Sequence, residues 1–468
     1  MLKSNDSRSR VVKVLVWIPL RPGASWRGEG IAQTLENILI HTQGGIEYTI
    51  FCSKENAFQL ASSLRESGKA LGHIKICSMS FFRSSKVKKK AEQKSDLLPI
   101  PSRGGSVILS YFLRKLRGIF AKISIPLWVF NLFIHSTFQR FSLKYRNFDA
   151  TWFPAPFIPF SSLLKGRKVV SFWDPFVLQY TRFSNAWIVC NLLFSILHRA
   201  DRVITQSQNN LDYLVQVMGI AQEKISVSYN GSPNYEAYIK ASNISHPDQL
   251  IPYLKKMKQD KKVSDFINYS VLDRLFSKLT EKTRIIMIST QYRLYKGFEG
   301  LFEVMNYLVK NYSDEYDFQF IVTAGELPEF LYKEYHWSNE KIHNISRVDS
   351  VFHAHLYRFS HLLLHPSYAE GGLGSYPQYE AASVGCASLN NNGRHMRELA
   401  SYFDEDLSKI VSDFFRTEET AKRIVEILSN VHQRESNIAL TNKLRFEWSD
   451  SSKVYDEIFL GVGSNNVA

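Results

Sequence analysis

Glu370-Gly-Gly-Leu-Gly-Ser-Tyr-Pro-Gln-Tyr-Glu380 follows a short apolar run, Leu362 to Leu364, and leads into Ala-Ala-Ser-Val-Gly385. The run reads as a buried strand and the segment after the turn as a closely packed helix. Glycines between a strand and a helix let the backbone approach a ligand, and the first helical amides point outward without partners. Together these features make an anion site. Two carboxylates bracket the turn. A carboxylate repels a phosphate but accepts hydrogen bonds from hydroxyls, bidentately where two are adjacent. Amides for a diphosphate and acids for hydroxyls together point to a nucleotide-sugar site, with Gly372, Leu373 and Gly374 as the backbone donors.

The chain around this stretch has 468 residues, 44% hydrophobic and 13% aromatic, which is enough for two well-packed domains and excludes a disordered chain. The formal net charge is +14, and it is unevenly placed. Residues 1–235 carry 31 Lys and Arg against 13 Asp and Glu, whereas the remainder carries 27 against 31. Such asymmetry calls for a polyanionic partner of the first half: anionic lipid, lipid-linked phosphate or nucleic acid. The four cysteines are scattered without a Cys-x-x-Cys pair, which argues against a zinc site or a disulfide framework and fits a reducing cytosol. The N-terminus shows no apolar signal-peptide core before the first strand, so a cytoplasmic location is expected.

The block His365-Pro-Ser-Tyr-Ala-Glu-Gly-Gly372 with Pro377-Gln-Tyr-Glu-Ala-Ala-Ser-Val-Gly385 resembles the donor-site signature of retaining glycosyltransferases of the GT-B fold, in particular family 4. The resemblance implies an α/β chain of two Rossmann-like domains facing each other across a cleft, with a C-terminal helix crossing back to the first. It divides this chain into an N-terminal acceptor-side domain at 1–235, a linker with insertion at 236–282, a donor domain at 283–445 and a crossover helix at 446–468. It also implies that Glu380 holds the ribose hydroxyls and Glu370 the transferred sugar. Nine residues separate these glutamates where the family has seven. A solvated loop acid at Glu370 and a helix-start carboxylate at Glu380 are the plainer alternatives.

Along the first half, Val11 to Ile18 reads as a buried strand, followed by Arg21-Pro-Gly-Ala-Ser-Trp-Arg-Gly-Glu-Gly30 and a helix. The resemblance implies that this loop approaches the donor diphosphate, with Gly28 and Gly30 as the candidates; an ordinary strand-to-helix turn is the alternative. Within the basic and aromatic insertion at 83–145, residues 83–94 read as an exposed loop, whereas 107–145 interleave basic with large apolar side chains. Their uncharged part, 123–137, is shorter than the ~20 residues that span a bilayer. They suit a helix lying in a membrane interface, or a core helix with a solvated basic face. The strand ending Ser171-Phe-Trp-Asp174 carries Trp173 where the family commonly has a histidine, so no acid or base role passes to that position. Asp174 either orients an acceptor hydroxyl or caps the turn.

In the second half, Arg284 to Thr290 reads as a strand, and Gln291-Tyr-Arg-Leu-Tyr-Lys-Gly-Phe298 opens the next helix. The resemblance puts Lys296, and Arg293 as its partner, on the donor phosphates; two surface cations are the alternative. Two cations neutralise a leaving diphosphate without a metal, and neither metal nor separate cofactor is expected. Asp404-Glu-Asp406 reads as a solvated acidic turn and His365 as a strand-end residue. The resulting expectation is a retaining, metal-independent enzyme moving a sugar from a UDP- or GDP-sugar to a glycan or lipid-linked acceptor in surface-polysaccharide synthesis. It would sit peripherally at the inner face of a membrane. The alternatives are a same-fold enzyme modifying nucleic acid and a non-catalytic relative that binds nucleotide or membrane.

Overall fold

The computed structural model describes residues 11–18, 30–66, 72–79, 147–155, 166–175, 195–242, 244–259, 273, 275–325, 327–345 and 350–461. Gly28 and the basic segment 83–145 lie outside the described residues. The chain divides into two units, Met1–Tyr229 with Trp448–Ala468, and Asn230–Glu447.

The first unit is built on β1 (Val12–Trp17), α1 (Gly30–His41), β2 (Ile46–Ser53), α2 (Lys54–Glu66), β3 (Ile74–Met79), β4 (Ala150–Phe153), β5 (Arg167–Phe172), β6 (Arg202–Thr205), α3 (Gln208–Gln216) and β7 (Ile225–Val227). Among the described residues its strands form one sheet of seven in the order β3-β2-β1-β4-β5-β6-β7. Every pairing is parallel. Parallel neighbours need crossover connections, and helices on both faces bury the strands, which is why β1 and β4 run apolar almost throughout. Ser207 starts α3 by accepting a bond from the Asn210 amide.

The second unit opens with α4 (Glu236–Lys240) and α5 (Leu250–Gln259). The sequence suggested a linker and insertion here. Instead Tyr235, Ile244, Leu250, Ile251, Leu275 and Phe276 are buried with Met287, Phe352 and Leu363 in one face of this unit's core. Lysines at the exposed positions of this amphipathic stretch make it look like solvated linker. Then follow β8 (Thr283–Ile288), α6 (Phe298–Asn311), β9 (Asp317–Val322), α7 (Glu329–Glu334), α8 (Ser338–Lys341), β10 (Ile342–Asn344), α9 (Ser350–Phe359) and β11 (Leu362–His365). The unit closes with α10 (Tyr376–Ser383), β12 (Ala387–Asn391), α11 (Arg394–Phe403), β13 (Val411–Ser412), α12 (Thr417–Ser429) and α13 (Val431–Lys443). Among the described residues the sheet has six strands, ordered β10-β9-β8-β11-β12-β13, all parallel. The order reverses between β8 and β11. Crossovers diverge at such a point and leave a crevice at the carboxyl ends of the two strands.

The last helix, α14 (Trp448–Leu460), belongs to the first unit. Tyr455, Ile458 and Phe459 enter its core, with the Tyr455 and Phe459 rings 4.9 and 5.7 Å from Trp152. Asp456 accepts from the Gln43 amide at 2.9 Å and from Thr42 at 3.3 Å.

Candidate functional site

Lys296 and Glu370 meet at the carboxyl ends of β8 and β11. Lys296 ends a short turn of 3-10 helix, Leu294–Lys296, and Gly297 follows with φ 63°. A Cβ at 297 would collide with the Pro366 carbonyl oxygen. The Lys-Gly pair therefore exists because the loop after β8 lies directly on the loop after β11, and only glycine fits that contact. The Tyr368 amide ties the two loops by donating to the Tyr295 carbonyl at 3.1 Å.

The Lys296 ammonium donates to Glu370 Oε1, and His365 Nε2 lies 2.8 Å from the same oxygen. Both partners use one carboxylate oxygen, and among the described residues none bonds Oε2, an open acceptor on a side chain that is 21% exposed. Burial would raise the Glu370 carboxyl, but Lys296 and then His365 overcome it and hold the group well below the usual carboxylate range. Burial also keeps His365 neutral, more strongly than Glu370 draws a proton to it. Among the described residues the amides of Gly372 and Leu373 have no hydrogen-bond partner, whereas the Gly374 amide is drawn to the His395 carbonyl at 3.4 Å. Gly374 takes φ 67° with the Gln378 and Tyr379 side chains against it. Of the three backbone donors suggested by the sequence, two are open.

Glu380 is buried, 5% exposed. Ser375 caps α10 through the Gln378 amide, which puts Glu380 in the second turn and leaves no acid in the first. The helix-start position read from the sequence is corrected by the Ser-Tyr-Pro start, because proline favours the first turn. Tyr357 donates to Glu380 Oε2 at 2.9 Å, and the Tyr235 hydroxyl is a second partner. Burial pushes the Glu380 carboxyl up to about 7, against the opposing effect of both tyrosines. His353, 2.9 Å from Ser289 and 3.4 Å from the Tyr235 hydroxyl, continues this polar group toward the end of β8.

Arg293 is exposed, its guanidinium donating to the Tyr295 hydroxyl and Gln291 Oε1 at 2.8 Å each. Asp174 and Gly30 belong to the first unit. Asp174 follows β5 beside Trp173, whose carbonyl accepts from Gln206 and Asn210 at 2.8 Å, and Gly30 opens α1. A cavity of about 490 Å³ lies among Asn392, Arg397, Asp413 and Arg416, and its walls include neither Lys296 nor Glu370. Its cations are already engaged by Asn392, Asp413 and Glu419. The sequence reading passed over His365 as an enzyme group and did not single out His395. His365 carried the one usable signal, a polar residue ending an all-apolar strand.

The order and parallel pairing of both sheets define the GT-B fold of glycosyltransferases. Solved structures with this architecture span nearly the whole chain. The glycosyltransferase of Rickettsia africae ESF-5 is 14% identical, covers 97% of this chain and 99% of its own, and gives a TM-score of 0.55. Sucrose-phosphate synthase of Thermosynechococcus elongatus is 14% identical with a TM-score of 0.57, covering 97% of this chain and 100% of its own. Anabaena HepE in complex with UDP-glucose is 14% identical with a TM-score of 0.56, covering 96% and 99%. No family model and no curated protein matches the sequence.

Proposed function

We propose that the protein is a retaining glycosyltransferase that moves a sugar from a nucleotide-sugar donor to a glycan or lipid-linked acceptor. The observation that carries this reading is the juxtaposition of Lys296, the open Glu370 Oε2 and the unpartnered Gly372 and Leu373 amides at the β8–β11 crevice. UDP is the favoured nucleotide, because the similarly folded HepE was solved with UDP-glucose; GDP is the alternative. Lys296 and the two amides neutralise the diphosphate, with Arg293 as a second cation. Glu370 receives a sugar hydroxyl on Oε2, and Glu380 the ribose. In the reaction the bond from the anomeric carbon to the phosphate oxygen breaks. A bond to the acceptor oxygen forms on the same face, and the acceptor proton passes to the departing phosphate oxygen. Catalysis is then positioning and charge stabilisation, without a covalent carboxylate intermediate and without a metal.

The test is a thermal-shift panel of UDP, GDP and ADP with their sugars, followed by release of free nucleotide from the stabilising donor. A specific ligand raises the melting temperature only if the native state binds it. If no nucleoside diphosphate or sugar derivative shifts the melt, the reading is wrong. Trp173, whose indole N–H donates to the Pro154 carbonyl, supplies no acid or base and favours a second reading of nucleotide binding without transfer. Donor binding with no nucleotide release would select that second reading. The basic segment 83–145 motivates peripheral membrane attachment, tested by flotation with anionic liposomes against DNA retention at matched salt.

A further inference from the structure

His395 is the second residue of α11 and is 1% exposed. Neither its Nδ1 nor its Nε2 has a hydrogen-bond partner. Its ring lies 6.4 Å from that of His365, nearly perpendicular to it, and the Nδ1 of His365 is likewise without a partner. His365 Nε2 holds Glu370, so three buried ring nitrogens lack a partner on the two histidines beside the acid that the proposed reaction gives to the sugar. A buried imidazole that bonds nothing has exchanged water for nothing, and an apolar side chain of similar shape would be neutral or stabilising there. Gly393 packs against the ring, since a Cβ at 393 would lie 2.6 Å from Cε1, so the imidazole has little freedom to turn away and find a partner. The glycine loop meets this helix start through the long 3.4 Å bond from the Gly374 amide to the His395 carbonyl, a weak tie that a ligand can displace.

The chemistry of the ring selects the ligand. Burial lowers His395 to about 3, so it is neutral at physiological pH, with one nitrogen donating and the other accepting. A phosphate offers only acceptors and would leave the accepting nitrogen empty, and Lys296 and the loop amides already suit it. A hydroxyl both donates and accepts. We infer that His395 reads a hydroxyl group of the transferred sugar, beside the one taken by Glu370, and so is a specificity-determining residue for the donor. This rests on the proposed nucleotide-sugar reading of the site.

The test compares wild type, His395→Phe and His395→Gln by calorimetry with UDP, UDP-glucose, UDP-galactose and UDP-N-acetylglucosamine, and by the melting temperature of the ligand-free proteins. His395→Phe is expected to keep its UDP affinity within about twofold and to lose about tenfold of the affinity ratio between its best and worst UDP-sugar. Its ligand-free melt is expected to be unchanged or higher, which a purely structural histidine would not allow. His395→Gln, which keeps a donor and an acceptor, is expected to recover part of the ratio. An unchanged ratio with UDP binding intact in His395→Phe overturns the inference. A lower ligand-free melt for both variants also overturns it, because it marks the ring as structural. Failure of the wild-type protein to bind UDP, or GDP in a parallel titration, defeats the parent reading instead.

Discussion

At the scale of single residues, the site is decided by which group compensates Glu370. Replacing Lys296 with Met removes the largest of the charges that together outweigh burial, so the Glu370 carboxyl rises and the diphosphate loses its cation. Donor turnover is expected to fall about 10²–10³-fold in a nucleotide-release assay. Retained turnover would remove Lys296 from the proposed chemistry. Glu380 poses the opposite case. Its folded pKa, about 7, lies above the ordinary glutamate value of 4.5, so the native state holds the proton more tightly than the unfolded chain. The stability this provides is complete below about 4.5 and is lost as pH rises through about 7. Glu380→Gln is expected to remove most of that slope, a change of about 3 kcal/mol between pH 4.5 and 8, measured by urea unfolding across the range. The sequence brought out Lys296 and Glu370 because each sits in a recognisable local pattern. It could not show that His365 shares an oxygen with Lys296, because that contact depends on how a loop with successive glycines folds back on β11.

At the scale of elements, the glycine turn between β11 and α10 is under steric constraint at Gly374. Its backbone is left-handed, and a Cβ there would stand 2.5 Å from Gln378 Nε2, so a side chain has no room. Gly374→Ala is expected to destabilise by about 1–3 kcal/mol and to weaken donor binding together with stability, measured by melting and by calorimetry with UDP. The strands of the second unit were readable because parallel strands buried on both faces appear as short runs of Ile, Leu and Val. The start of α10 was not. Two competing helix-start signals, the Ser-Tyr-Pro triplet and the glutamate, lie within six residues, and only the cap geometry at Ser375 separates them. The stretch α4–α5 reads as helical but as linker and insertion, because its lysines dominate the composition while its few apolar side chains pack into the core.

At the scale of the whole molecule, the chain is not laid out as two consecutive blocks. Its final described helix returns to complete the core begun by β1. Tyr455→Ala is expected to cost about 3–5 kcal/mol, because the ring is fully enclosed against Trp152. In a two-transition melt the loss should fall on the first unit and spare the transition of residues 230–447. A loss shared equally would mean that the two units unfold as one. This return path was expected only from the resemblance, which implies a helix at 446–468 crossing back to the first domain. The partners it finds, Trp152, Tyr48 and the Thr42–Gln43 turn, lie about 300 or more residues earlier in sequence and leave no local trace.

That return path sets an order of events during synthesis. A ribosome adding about 5–20 residues per second takes about 10–45 s to travel from Tyr229 to Trp448. Throughout that interval the earlier-made sheet must wait with the groove for α14 uncovered, while the last strand of the second unit, β13, is made before α14 is. The later-translated unit is therefore the first able to finish folding, and the nascent protein carries an exposed aromatic surface until α14 is made to cover it.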